Sequence, residues 1–402
     1  MKLNILILCT YPIDTPRHGG QIRVKKIVDY YRQAGFQVEV AGVLGSASYP
    51  ASVGFDPSPS INELAKILDN PFLMEDVAIA KLYKANDKYF SSLAKQIKQV
   101  PDVIHVEQPW LFGFAQRYIK EKLNNRSKLI YGSQNIEYQL KASILKTYFI
   151  TDEVTQREKQ VKQLEMHAIT EADGIVCVSQ HDLEWLTQQT QTSVVLAPNG
   201  VSEWNVTEQS IDEANQITKH QKFALFCASG HPPNVKGFFD LFGDGFGAMN
   251  HNEKIVIAGS AGYAIEGDER VHQSAKLAAR VAIAGLVSDS CLSGLLHTAH
   301  CIVLPITQGG GTNLKTAEAL WSGKHIIATT TAMRGFETFI GQQGINIADT
   351  PAIFKQQLRE IMARPPLVLN QPERESRAIV LWEQCLSPLS PFMTKIAQRV
   401  TQ

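Results

Sequence analysis

Short apolar runs recur along the chain, separated by stretches in which apolar residues return every three or four positions. In the first half the runs fall at Leu3–Cys9, Phe36–Val43, Asp102–Glu107, Lys128–Gly132, Gly174–Ser179 and Ser193–Pro198. In the second they fall at Phe223–Ser229, Lys254–Gly259, Val281–Gly285, His300–Pro305 and His325–Thr330. Between the first two runs Val24, Ile27, Val28 and Tyr31 share one face of a helix, with Arg23, Lys26 and Tyr30 on another. From Thr151 to Ala172, Val154, Val161, Leu164 and Ala168 recur at helical spacing and charge fills the solvated face. Alternation of this kind predicts an α/β fold with parallel sheets covered by helices.

The alternation pauses once. After Pro198-Asn199-Gly200-Val201 the composition turns polar through Glu208, Ser210, Asp212 and Asn215 until Phe223, which marks a domain boundary. The expectation is two Rossmann-like domains facing each other across a cleft, 1–204 and 205–375, with C-terminal helices over 376–402 returning to the first. The helices are placed around Ile379, Val380 and Trp382 and from about Pro391 onward. A chain of 402 residues is long enough for both cores.

Charge narrows the picture. Lysine plus arginine equals aspartate plus glutamate at 39 each, so no global field recruits nucleic acid. The six cysteines stand singly with no C-x2-C pair, which argues for reduced thiols in a cytoplasmic protein and against a disulfide framework or a zinc site. The N-terminal apolar run is too short for a secretory core, and no run approaches the ~20 residues of a membrane span. Any membrane contact is expected to be peripheral. Arg23, Lys25, Lys26 and Arg32 are close enough in sequence to serve it, or simply to be solvated.

The densest chemistry lies in Pro305–Glu318. A strand ends there, Gly309, Gly310 and Gly311 follow, then Thr312 and Asn313, and a helix opens at Leu314. Glycines at a strand-to-helix turn let backbone N–H groups converge on an anion at the positive end of the helix dipole. Lys315 adds a cation and Glu318, a turn on, a carboxylate for sugar hydroxyls. The P-loop pattern fails because Leu314 stands where its second glycine is required. Lys236, at the helix start after Gly230-His231-Pro232-Pro233, falls on the same carboxyl-end side.

Further polar groups follow strand ends in the first half. Gly19 and Gly20 open the first helix, without the G-x-G-x-x-G of a dinucleotide oxidoreductase. His105 and Glu107 share a strand face, and Ser133-Gln134-Asn135-Ile136-Glu137-Tyr138 trails the next strand. In open α/β sheets ligands bind beyond the carboxyl ends of strands, where all these groups fall.

These residues together resemble the retaining nucleotide-sugar glycosyltransferases of the GT-B fold, glycosyltransferase family 4, over nearly the whole chain. The resemblance is carried by Gly19-Gly20, Asp102 to Glu107, Asn135 to Tyr138, Ala197 to Val201, Pro233-Asn234-Val235, Ala284 to Val287 and Gly309 to Lys315. It implies that Glu318 contacts the donor ribose, that Gly285 and Val287 lie near the nucleobase, and that Gly309, Gly310, Gly311, Thr312, Asn313, Lys315 and Lys236 hold the diphosphate. It further implies an acceptor side formed by Gly19, Gly20, Arg23, Asn135 and Glu137, with His105 and Glu107 competing for the catalytic position there. Three departures stand out: Gly310 in place of the family's first glutamate, Asn313 in place of an arginine, and Gly230 where an arginine often precedes the lysine.

The implied activity is transfer from a nucleotide-diphosphate sugar to a glycan, lipid-linked or protein acceptor with retention, needing no cofactor and no divalent metal. The alternatives are an inactive homologue that binds nucleotide sugar or a partner transferase, and an epimerase or phosphorylase of the same fold.

Overall fold

The computed structural model describes residues 2–243, 245, 249–308 and 314–398. The chain divides into two compact units, Met1–Pro198 with Cys385–Gln402, and Asn199–Gln384.

The first unit is built on strands β1 (Asn4–Cys9), β2 (Gln37–Val43), β3 (Phe55–Asp56), β4 (Val103–Glu107), β5 (Lys128–Gly132), β6 (Gly174–Cys177) and β7 (Val194–Leu196). They form one parallel sheet in the order β3-β2-β1-β4-β5-β6-β7. Ile5 to Cys9 are all buried, as expected of a central strand covered on both faces. Leu6, Leu8, Ile104 and Val106 enter one core cluster with Tyr131 and Ile175, while His105 and Glu107 turn to the other face of β4. Each such apolar side chain contributes about 1.5–3 kcal/mol on burial.

The second unit has β8 (Lys222–Cys227), β9 (Glu253–Ala258), β10 (Val281–Gly285), β11 (Cys301–Leu304), β12 (His325–Ala328) and β13 (Ile345–Ile347). Its sheet is parallel too, ordered β10-β9-β8-β11-β12-β13. Both sheets are Rossmann-like. In each, the order reverses beside the first strand, between β1 and β4 and between β8 and β11, and ligands of open α/β sheets bind at such a point.

The unit boundary falls earlier than the sequence pattern indicated, at 198, and the return falls later, at 385. Backbone pairing explains both. Val201 N donates to Val380 O at 2.9 Å and Trp382 N donates to Val201 O at 3.0 Å, which ties 199–204 and 376–384 into the second unit. Ile379 and Val380 stand between helices Gln371–Ala378 and Trp382–Leu386 rather than inside one. Helix Leu389–Gln398 belongs to the first unit. Its Phe392 ring lies where a Cβ on Gly174 would be 2.7 Å away, and Tyr30 Oη donates to Ser387 O at 3.1 Å.

The polar stretch after the boundary is not all loop. Thr207 caps helix Glu208–Thr218, which lies so close to helix Asp289–Thr298 that a Cβ on Gly294 would meet Ser210 O at 1.8 Å. No described helix is long and apolar enough to cross a membrane.

Candidate active site

In the second unit the groups gather at the β8/β11 switch point. A Cβ on Gly237 would stand 2.0 Å from Pro305 O, so only glycine lets helix Pro232–Phe242 lie against the end of β11. That close approach brings Lys236 and Asp240 to the turn leaving the strand. Lys236 Nζ donates to Asp240 Oδ2 at 2.6 Å, and Thr307 Oγ1 donates to the same oxygen at 3.0 Å. Both partners are substantially exposed, so the ion pair is worth about 0.3–0.5 kcal/mol and Lys236 can exchange it for a ligand anion.

Gly309, Gly310, Gly311, Thr312 and Asn313 lie outside the described residues. Helix Leu314–Trp321 follows, with Thr316 tied down by its hydroxyl's bond to Ala332 O at 2.6 Å. Burial pushes the Glu318 carboxyl up to about 7, against the pull of Lys315. Burial likewise lowers the Lys315 ammonium, and the Cys227 thiol at the end of β8 is pushed up to about 12. Each of these groups is buried enough to be sensitive to a charged ligand.

The ends of β8, β9 and β10 are stitched together by backbone bonds. Ala228 N donates to Ala258 O at 2.8 Å and Gly259 N to Gly285 O at 2.6 Å. Gly285 takes φ +65 and a Cβ there would meet Tyr263 Oη at 2.3 Å, so glycine is required on two counts. Tyr263 Oη in turn accepts from Leu286 N at 3.2 Å, and Val287 packs half-buried into the core behind.

The first unit carries a polar network at the β1/β4 switch point. His105 Nε2 and Glu107 Oε1 are 3.2 Å apart, both side chains fully buried, with an N–H direction that misses hydrogen-bond geometry. Tyr31 Oη closes the far side at 3.1 Å from His105 Nδ1. A Cβ on Gly132 would come within 2.7 Å of His105 Nε2 and 2.9 Å of Glu107 Cδ, so β5 makes room for the pair. Burial raises the Glu107 carboxyl, but His105, Arg23 and Gln134 together outweigh it and hold it down at about 2.

Gln134 carries this charge outward. Its Nε2 donates to Glu107 Oε2 at 2.7 Å and to Tyr11 Oη at 2.6 Å. Tyr11 lines a cavity of about 320 Å³ with Thr10, Gln108, Trp110, Asp76 and Glu137, among others. His105 and Glu107 do not line it; the fully buried pair lies behind Gln134, which bonds both Glu107 and Tyr11.

Glu137 is set into that cavity by an unusual helix start. Ile136 offers no side-chain cap to helix Glu137–Leu145, and the buried Glu165 carboxylate accepts from Glu137 N at 2.8 Å and Tyr138 N at 3.0 Å instead. Such bonds are worth roughly 1.5–3 kcal/mol each while the Glu165 carboxyl is ionised. Gln108 Nε2 and Asn135 Nδ2 donate to Glu137 Oε1 at 3.1 and 3.3 Å. Burial pushes both Glu137 and Glu165 up to about 7.

Gly20 sits beside this network, where a Cβ would meet Gln134 Oε1 and Tyr11 Oη at 3.1 Å, and Gly19 is the first, exposed residue of its helix. Arg23 departs from the sequence reading. It is 2% exposed and donates to Ala197 O at 2.8 Å, and Lys25 is paired with Asp29, so no four-residue basic face forms on this helix. Tyr11, Gln108, Trp110, Asp76 and Lys141 were not singled out by sequence, and Gln134 only as a member of the cluster after β5. Gln134 and Tyr11 directly follow strand ends and had that much signal; Asp76 comes from helix Glu75–Ala85, whose position no local pattern reveals.

No curated protein matches the sequence. Among solved structures, the sucrose-phosphate synthase of Thermosynechococcus elongatus aligns at TM-score 0.65 and 15% identity, covering 98% of this chain and 99% of that one. WaaG, a glycosyltransferase involved in lipopolysaccharide biosynthesis, aligns at 0.59 and 14% over 99% and 100%. Anabaena HepE in complex with UDP and glucose aligns at 0.57 and 11% over 99% and 98%. At these identities the likeness is one of fold. Residues 221–364, which hold the Lys236, Lys315 and Glu318 site, match the family model of the glycosyl transferases group 1.

Proposed function

We propose that the protein is a retaining glycosyltransferase that uses a nucleotide-diphosphate sugar. The observation that carries this reading is the approach of Gly237 to Pro305, which brings Lys236 and Thr307 to the end of β11, while Lys315 and Glu318 face Cys227 at the end of neighbouring β8, all inside the segment matching the glycosyl transferases group 1. A diphosphate fits there by charge. Lys236 released from Asp240, Lys315, and the N-terminal dipole of helix Leu314–Trp321 favour an anion, and Glu318 suits ribose hydroxyls.

In the proposed chemistry the bond from the anomeric carbon to the diphosphate loosens to an oxocarbenium-like state. The acceptor hydroxyl attacks from the face the diphosphate leaves, and its proton passes to the departing phosphate oxygen. Charge accumulates on that phosphate, so loss of one stabilising donor costs ~100-fold or more in rate. No metal takes part. The acceptor is assigned to the first unit's cavity, whose carboxylates and amides suit sugar hydroxyls.

A thermal-shift panel of UDP, GDP and ADP with their sugar conjugates tests the donor assignment. One nucleotide is expected to raise Tm, and the Lys315→Ala, Glu318→Ala double variant to lose the rise. A flat response to every nucleotide contradicts the reading and favours a protein that has lost the activity along with the residues replaced by Gly310 and Asn313.

A further inference from the structure

The lining of the first unit's cavity has a definite charge balance. Glu75, Asp76 and Glu137 face it with one cation, Lys141. Lys141 is already committed: its Nζ is bonded to Asp76 and donates to Leu73 O at 3.1 Å, and it lies 5.6 Å from the Trp110 ring centre. Glu75 has no ion-pair partner among the described residues. An entering phosphate or carboxylate would therefore meet the unpaired Glu75 and the already bonded Glu137 oxygen, with the lining's one cation held by Asp76. A hydroxyl-bearing ring is suited by the same groups, with Glu137 Oε1 already fixed by Gln108 and Asn135.

The rim has a different character. Leu140 and Ile144, both lining residues, lie four apart on helix Glu137–Leu145 and are 36% and 41% exposed. Past the helix end, Tyr148 is exposed and packs edge-on against exposed Phe72 at 5.9 Å between ring centres, and exposed Ile150 follows. Clustered exposed apolar side chains mark a binding surface. This one begins at the cavity.

We propose that the acceptor is a glycoside whose sugar bears no negative charge and occupies the cavity, joined to an apolar aglycone that lies along the Leu140–Ile144–Tyr148 strip. The proposal rests on the acceptor assignment above and narrows it to a chemical class. Apolar exposure that starts at the lining residues Leu140 and Ile144 favours one amphipathic ligand over a separate protein partner.

Binding is measured without donor, by calorimetry, on matched sets of a free hexose, its octyl glycoside below the micelle concentration, and its 6-phosphate. In at least one set the octyl glycoside is expected to bind about tenfold or more tighter than the free sugar, and the 6-phosphate about tenfold or more weaker. The Leu140→Asn, Ile144→Asn double variant is expected to lose the octyl advantage, read as the ratio of octyl-glycoside to free-sugar affinity in that same variant. The proposal is overturned if the phosphate binds as tightly as the neutral sugar, if the octyl chain adds nothing, if its advantage survives in the variant, or if no set binds. The nucleotide panel reports on the other unit, so a failure here and a failure of the donor reading are separately visible.

Discussion

Gly237 and Pro305 are in contact that admits no side chain: a Cβ on Gly237 would lie 2.0 Å from the Pro305 carbonyl oxygen. Helix Pro232–Phe242 is thereby held on the end of β11, with Phe238 and Phe242 packed beneath it. Gly237→Ala must push the helix off the strand end, an overpacking that typically costs about 1–3 kcal/mol. Urea unfolding is expected to show a lower midpoint. The nucleotide-induced thermal shift is expected to weaken as well, because Lys236 moves with the helix. An unchanged midpoint would show that the contact is relaxed in solution.

Glu107 predicts an acid dependence. Its carboxyl stands at about 2 in the fold against 4.5 ordinarily, because His105, Arg23 and Gln134 outweigh the burial that raises it. A depressed carboxyl stabilises the fold above its unfolded pKa and loses that contribution as pH falls toward its folded one. The stability gap between the wild type and Glu107→Gln should be constant above about pH 5 and shrink from pH 4.5 toward pH 2. Urea unfolding across this range checks it; a gap that widens on acidification would reverse the sign and remove the assignment.

Much of the fold was legible because buried parallel strands are continuous apolar runs. β4, β5 and β10 fall where the runs placed them, to within a residue. Strands β3 and β13 were missed because two or three residues at a sheet edge carry no pattern. Helix Glu208–Thr218 was missed because it packs through Ser210 and Ala214 against Gly294, so close contact replaces an apolar stripe. Arg23 was read as exposed from its type, whereas its bond to Ala197 O, from a distant part of the chain, satisfies it inside. His105 and Glu107 were legible as a same-face pair, but their full burial depends on Tyr31 and Gly132 arriving from other elements.

Glu318 predicts a pH dependence of donor binding in the neutral range. Burial raises its carboxyl to about 7 with Lys315 pulling the other way, so the group is largely protonated below that pH and ionised above it. Ribose hydroxyls donate more strongly to the ionised form. Nucleotide affinity should rise between pH 6 and 8, by at most about tenfold per unit for a single proton, and Glu318→Gln should flatten the curve. Calorimetry at constant ionic strength is the check, and an equally steep curve in the variant would place the titration elsewhere.

Transfer of a sugar from a nucleotide donor with retention is read in the anomeric configuration of the product. It is tested most directly by following the anomeric proton during incubation of the protein with the nucleotide sugar that shifts its melting, and with neutral octyl glycosides, by proton NMR. The expected result is a new glycosidic signal with the donor's anomeric configuration, absent with Lys236→Ala at the same time points. A product of opposite configuration, donor isomerisation, phosphate-dependent cleavage, or an unchanged donor with every acceptor would contradict it.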